Sequence, residues 1–254
     1  MEQYEKLREV VLQGGGMVTP FVNLSRQARI EKNAQALGNA EILGEALLKG
    51  DTTVRDYAKA MDFCVIKDSI LQAHARVGGA ARLDRVTVSG TAEIAGATNI
   101  RDSYIGDNAI IREQAEVYSS HIAGNCRVTG NAKLWNVIAG KSSNQDAFWI
   151  EGDAVLNFSV KMELFAGTRV HEGEWTRPPM VIYTPVFCTI EGVSDRVQIG
   201  CLNHSMSFWY KYGKEVLVKY GLEPKLYPIF ELAMDQMRDF KQQFKSPKAR
   251  RKKK

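Results

Sequence analysis

The chain has 254 residues, 44% hydrophobic and 25% charged, enough apolar material for a packed core. No run of 18 apolar residues occurs, which excludes a membrane-spanning helix. The formal net charge is +5, of which residues 245–254 contribute +7 and leave −2 on the rest, so a mildly acidic body carries a basic tail.

The first predicted element is a short amphipathic helix over Met1–Gln13, with Tyr4, Leu7, Val10 and Val11 on one side, ended by Gly14-Gly15-Gly16. It lacks the apolar core of a secretory signal. Residues 1–33 are expected to cap the domain that follows, with a partner-binding helix as the other reading. Cys64, Cys126, Cys188 and Cys201 form no CxxC pair, which fits a reducing, cytoplasmic setting.

From Ala34 a small residue recurs every six positions (Ala40, Ala46, Thr52, Ala58, Cys64). A mostly aliphatic residue follows two positions after each: Ala36, Ile42, Leu48, Val54, Ala60, Ile66. Such pairs put two side chains inward on a short strand before a turn, a rhythm no helix sustains. Beyond Cys64 the period becomes 17, aligning Cys64, Ala81, Thr98, Ala115 and Ala132, with Ile66, Leu83, Ile100, Val117 and Leu134 two residues on. Steps of five, six and six describe a three-sided coil with one tighter corner. Stacked at about 4.8 Å, six or seven coils over residues 34–170 are expected to form a parallel β-solenoid.

In the fifth copy Ser143 and Gln145 occupy the place of the third pair, which Ala147 and Trp149 restore, so the corner Gly140–Asp146 is expected to carry about four extra residues. The pattern continues loosely through Ala154, Leu156, Met162 and Ala166.

Segments such as Gly38-Asn39-Ala40-Glu41-Ile42 and Gly130-Asn131-Ala132-Lys133-Leu134 resemble the repeat unit of the hexapeptide-repeat superfamily. The resemblance covers a little over half the chain. It implies a left-handed parallel β-helix with three faces per coil, and a homotrimer. The best-known members are acyl-CoA-dependent acyltransferases, beside a γ-class of zinc carbonic anhydrases and binding or assembly modules without chemistry.

Residues 171–244 lose the six-residue rhythm and read as a small α/β module. Strands are predicted at 181–183, 186–190 and 196–201, then a helix capped by Ser205 over 206–220, broken by Gly221 and Pro224, and a second helix. In the latter, Leu226, Phe230, Ala233, Met237, Phe240 and Phe244 form a heptad seam, to pack on this module or on symmetry mates. The stretch Gln198–Trp209 with its two helices is similar to C-terminal modules of uncharacterised bacteriophage accessory proteins, which points to a viral origin and implies no activity.

His121, between inward Ser120 and Ile122, points outward with Tyr104 and Ile138 as column neighbours. In acyltransferases of the superfamily an outward His near a protruding loop and a neighbouring subunit is the general base. The resemblance therefore makes His121 a candidate base, with Tyr104, Asn125 and Asn144 as candidate substrate contacts and acetyl-CoA or another acyl-CoA as donor. The other reading is an ordinary surface His, and no carboxylate is placed to orient its ring. His74 and His121 lack a third histidine for a γ-type zinc site, and Cys188, Cys201, His171 and His204 have generic spacing, so no metal is expected. The seven cations Lys245, Lys248, Arg250, Arg251, Lys252, Lys253 and Lys254 make the end of the chain (245–254) a disordered basic tail. It is suited to weak polyanion or nucleic-acid binding, or it merely solubilises. The function read from these features is a trimeric, non-enzymatic binding or scaffolding protein with an unknown protein or small-molecule partner and no cofactor. The alternative is an acyltransferase using His121.

Overall fold

A small residue followed by an aliphatic one fills the inside of each coil face, and the computed structural model places these pairs where the spacing requires. Ala34, Ala40, Ala46, Thr52, Ala58 and Cys64 are wholly buried, as are Ala36, Ile42, Leu48, Val54, Ala60 and Ile66. The structure describes residues 16–31, 33–140, 147–164, 168–176, 178–183, 188–191, 196–199 and 202–243. Two compact units divide the chain, Met1–Pro178 and Pro179–Lys254.

The first unit is a parallel β-solenoid with three faces. Its first face begins with Met17–Val18, its second with Asn23–Leu24 and its third with Arg29–Ile30. Nine strands stack on the second face, from Asn23–Leu24 to Arg169–Val170. The first and third faces belong to one sheet, joined by the strand Lys133–Ala139 as it rounds the corner between them. Nine coils at about 4.8 Å give a column roughly 40 Å tall.

Two expectations change. The solenoid starts at Met17, not Ala34: Met17 and Val18 pair with Gln35 and Ala36, and Asn23 and Leu24 with Glu41 and Ile42. Residues 17–31 are therefore an extra coil, and with eight coils in 34–170, where six or seven were expected, the count is nine. The predicted helix Met1–Gln13 lies outside the described residues. The second change is the register after the insertion. Phe148, not Ala147, aligns with Cys126, and Ile150, not Trp149, with Val128. Phe148 and Ile150 are buried while Trp149 faces outward, so the insertion is five residues rather than four. Beyond it Leu156 and Phe158 point inward, and a bulge between Trp135 and Val137 brings Val137 opposite Met162.

The corners explain how 17 residues close a coil. The tight corner between the third and first faces is held by inward serines. Ser69, Ser103 and Ser120 donate to the carbonyls of Lys67, Arg101 and Tyr118. Each hydroxyl accepts from the next coil, from the N–H groups of Val86, Ser120 and Val137 at 3.0, 3.1 and 3.0 Å. A buried N–H that the tight turn removes from the ladder thus regains a partner. At the other corners acidic residues adopt positive φ and cap the coil above: Asp62 and Asp107 carboxylates accept from Gly79 and Gly124, Glu113 from Gly130. Gly130 must be glycine, because its φ is +75° and a Cβ would lie 2.6 Å from the Gly152 nitrogen.

The second unit contains an antiparallel sheet, Val181–Tyr183, Cys188–Glu191, Arg196–Ile199 and Leu202–Ser205, followed by two helices. The last strand was missed in the sequence. Helix α1 (Met206–Lys219) starts where Ser205 predicts, the Ser205 hydroxyl accepting from the Phe208 N–H at 3.2 Å. Helix α2 (Tyr227–Gln243) buries Phe230, Ala233 and Met237 of the predicted seam, and Met234 beside them. Phe230, Met234 and Met237 pack with Trp209, Leu217, Val197 and Ile199, so this part of the seam serves the module's own core. Phe244 and the run 245–254 lie outside the described residues.

Candidate functional site

Outward side chains of a solenoid form columns, one residue per coil, and the three faces differ in what those columns carry. On the second face the column runs Asn23, Glu41, Lys59, Arg76, Glu93, Ile110, Arg127, Trp149, Arg169. Lys59 pairs with Glu41 at 2.7 Å, and Arg169 lies 4.2 Å from the Trp149 ring centroid. On the third face Lys133 pairs with Glu116 at 2.7 Å, and Tyr118, which donates to Glu116, stacks on Trp135. The corner after it carries the bidentate pair of Arg85 with Asp102. These exposed pairs contribute little stability each, but they fix which coil sits against which.

The first face carries no acid, lysine or arginine in its outward column over eight coils: Met17, Gln35, Thr53, Ile70, Thr87, Tyr104, His121, Ile138. Glu163 comes next, opposite Ile138. Six large apolar side chains are exposed among the described residues of the solenoid. Met17 and Ile70 stand in this column and Phe21 and Tyr57 on the corner beside it, so four of the six mark one side.

His121 sits within this column. Its ring stacks on Tyr104 with centroids 4.6 Å apart and planes 18° from parallel. The Tyr104 hydroxyl is 2.8 Å from Ser89 Oγ, which fixes its far end. Tyr104 can lie along the face because position 106 is glycine, where a Cβ would fall 2.5 Å from the ring. Beside His121 the corner residues Ala123 and Gly124 are buried, and Asn125 after them is exposed, as is its counterpart Asn108 one coil earlier. His121 itself is half-buried and engaged by other groups.

The structure therefore brings two of the four predicted residues together, Tyr104 and His121. Asn125 lies on the following corner in a separate ladder: Thr91 donates to Asn108 at 2.6 Å, and Asn108 to Asn125 Oδ1 at 3.2 Å. Asn144 lies outside the described residues, as do Lys248, Arg250, Arg251, Lys252, Lys253 and Lys254. Ser89 was missed, although a Ser at the same offset from Tyr104 on the previous coil was the available signal. Glu163 was missed because a 25-residue step, not 17, separates it from Ile138.

The other histidines are dispersed. His74 stacks on Tyr57, His171 contacts Glu151 at 3.2 Å and His204 stacks on Phe208. Among the described residues no group of three His, Cys, Asp or Glu side chains could hold a metal ion. Burial pushes the Cys64 and Cys126 thiols up to about 12, so at neutral pH both are packing groups rather than nucleophiles. An open concavity of about 840 Å³, lined by Leu24, Arg26, Arg29, Glu45 and Leu47, belongs to the first two coils and not to the His121 region. No helix of the described residues is long and apolar enough to cross a membrane.

No family model matches the chain, and no curated protein matches it. Among solved structures it is similar to UDP-N-acetylglucosamine O-acyltransferase (LpxA) from Moraxella catarrhalis RH4. The identity is 13%, the TM-score 0.45, and the match covers 83% of this chain and 80% of that one. Likeness at that level carries no argument about activity.

Proposed function

We propose that the protein is a self-associating, non-enzymatic binding or scaffolding solenoid, assembled as a homotrimer through its first face. The uncharged column from Met17 to Ile138 supports this reading, because the second and third faces are both laced with charge and only the first offers a surface that loses little on leaving water. The site's two organised aromatic groups, Tyr104 and His121, lie on that face, where a neighbouring copy or a bound ligand would meet them. A cytoplasmic location, and the viral origin suggested by Gln198–Trp209, belong to the same reading.

Light scattering at micromolar concentration should return three times the 28.4 kDa chain mass. Ile70→Asp places an acid in the neutral column, where Ile70 is 40% exposed in the single chain, so folding should survive and the trimer dissociate. Glu93→Lys on the second face should leave the assembly intact. A wild-type monomer, or an Ile70→Asp trimer, would overturn the proposed face.

A second reading rests on the stacked His121–Tyr104 pair: acyl transfer from an acyl-CoA to a hydroxyl or amine, with His121 as base. It requires acetyl-CoA to bind the wild type and turn over. In that case His121→Ala should lower the rate by about 10²-fold with the fold unchanged. Absence of both binding and turnover across a panel of acceptors would leave the scaffold reading.

A further inference from the structure

The concavity of about 840 Å³ on the first two coils lies at the corner between the second and third faces, away from the face proposed for assembly. Its floor is made of side chains that the next coil buries. Leu24 and Ala28 point inward, yet both stay partly exposed, whereas Ile42 and Ala46 at the same places one coil on are wholly buried. Val18 and Ile30, inward on the first and third faces of the same coil, are 5% and 0% exposed. The first coil is therefore closed over those residues and opens over its second face and the corner that follows. Leu47, half-buried and outward on the third face, adds an apolar wall.

The rim carries charge that the fold does not use. Arg26 stands at the tip of the corner turn and Arg29 begins the third face, both exposed. Neither guanidinium has an ion pair or a hydrogen bond among the described residues. Elsewhere on the solenoid Lys59, Arg85, Arg112 and Lys133 are each matched to an acid. The turn that presents Arg26 is fixed: the Ser25 hydroxyl donates to Gln27 Oε1 at 2.7 Å, and the Ala28 N–H to the Ser25 carbonyl at 3.3 Å. Glu45, on the same corner of the second coil, is the acid of the lining and is likewise without a partner among the described residues. Two guanidiniums and one carboxylate leave a single net positive charge beside exposed core.

We propose that this concavity binds a small monoanionic amphiphile, its carboxylate on Arg26 and Arg29 and its short aliphatic part over Leu24, Ala28 and Leu47. Guanidinium takes a carboxylate through two parallel N–H···O bonds, and the aliphatic part removes the open floor from water. The volume lies within the usual range of small-molecule pockets, about 300–1,000 Å³. A doubly charged phosphate head fits less well, because Glu45 repels the second charge. A polyanion needs a run of cations, which two arginines do not supply. This inference is independent of how the solenoid assembles.

Isothermal titration calorimetry on the full chain at mildly alkaline pH tests it, with octanoate, acetate, octanol and octyl phosphate as probes. Octanoate should saturate a single site, and acetate, which lacks the apolar part, should not bind. Octanol and octyl phosphate should bind about tenfold more weakly than octanoate. Arg26→Ala and Arg29→Ala should each weaken octanoate about tenfold and leave octanol unchanged, a split that a merely structural role would not produce. Glu45→Gln should tighten octyl phosphate more than octanoate. Arg82→Ala, an exposed cation in the same outward column as Arg29, should change nothing. All four positions are exposed, so the fold should survive, and a circular-dichroism melt confirms it. No octanoate binding by the wild type, or equal octanoate affinity in a variant lacking both Arg26 and Arg29, would overturn the site. Octyl phosphate bound more tightly than octanoate would overturn the ligand class.

Discussion

Ile100→Asp should yield no folded protein. Ile100 is wholly buried inside the third face, with Leu83 on the preceding coil and Val117 on the next opposite it in register. All three are aliphatic, so an ionised carboxylate would stand among hydrocarbon at a cost of several kcal/mol. Protonating it leaves a buried carboxyl without a partner, which is costly as well. The conservative change Ile100→Val should cost only about 1 kcal/mol, separating the effect of charge from that of volume. Soluble expression followed by a circular-dichroism melt decides between outcomes. An Ile100→Asp protein that melts cooperatively near the wild-type temperature would mean that position 100 does not face inward.

Trp209→Ala should collapse the second unit. Trp209 is wholly buried among Val197, Ile199, Leu217, Phe230 and Met234, and its indole N–H donates to the Val197 carbonyl at 2.7 Å. Truncation leaves a large cavity, about 3–5 kcal/mol, and removes the indole hydrogen bond, about 1 kcal/mol more. Together these approach the whole stability of a module of this size. Trp209→Phe should be milder, keeping most of the volume and losing the hydrogen bond. Hydrogen exchange read by mass spectrometry should show protection lost across 206–243 and retained in the coils 34–140. Protection retained in both helices would mean that Trp209 is not the centre of this core.

The coils were legible because one side-chain rule repeats. Only small residues fit beside a corner and aliphatic ones fill the face, so Ala81, Thr98 and Ala115 announce themselves at a spacing of 17. The first coil escaped although Val18, Leu24 and Ile30 keep the six-residue aliphatic step, because Gly16 and Val22 occupy its small positions. After the insertion the alanine at 147 attracted the register by its size, while the coil there buries Phe148 in a column otherwise held by Ala75, Ala92, Ala109 and Cys126. Composition identifies a column only while its neighbours demand the same volume. At the site the placement of His121 over Tyr104 followed from the period alone. The Ser89 contact and the need for glycine at 106 did not, since both depend on which way a tyrosine ring lies.

The fixed spacing of 17 also sets how such a chain can fold. Bonds that join one coil to the next along the regular stretch, such as Asp62 to Gly79, Ser103 to Ser120 and Ser120 to Val137, all close loops of the same length. Loop-closure entropy is then nearly constant from coil to coil. No pairing waits for distant parts of the chain, which keeps contact order low for an all-β structure. Once two coils have stacked, each further coil adds the same interface for the same loss of freedom, so growth proceeds outward like a zipper and stability accumulates by neighbours. The step of 22 between Cys126 and Phe148 breaks that uniformity, and the coils on its two sides should appear as separate cooperative segments in a folding experiment.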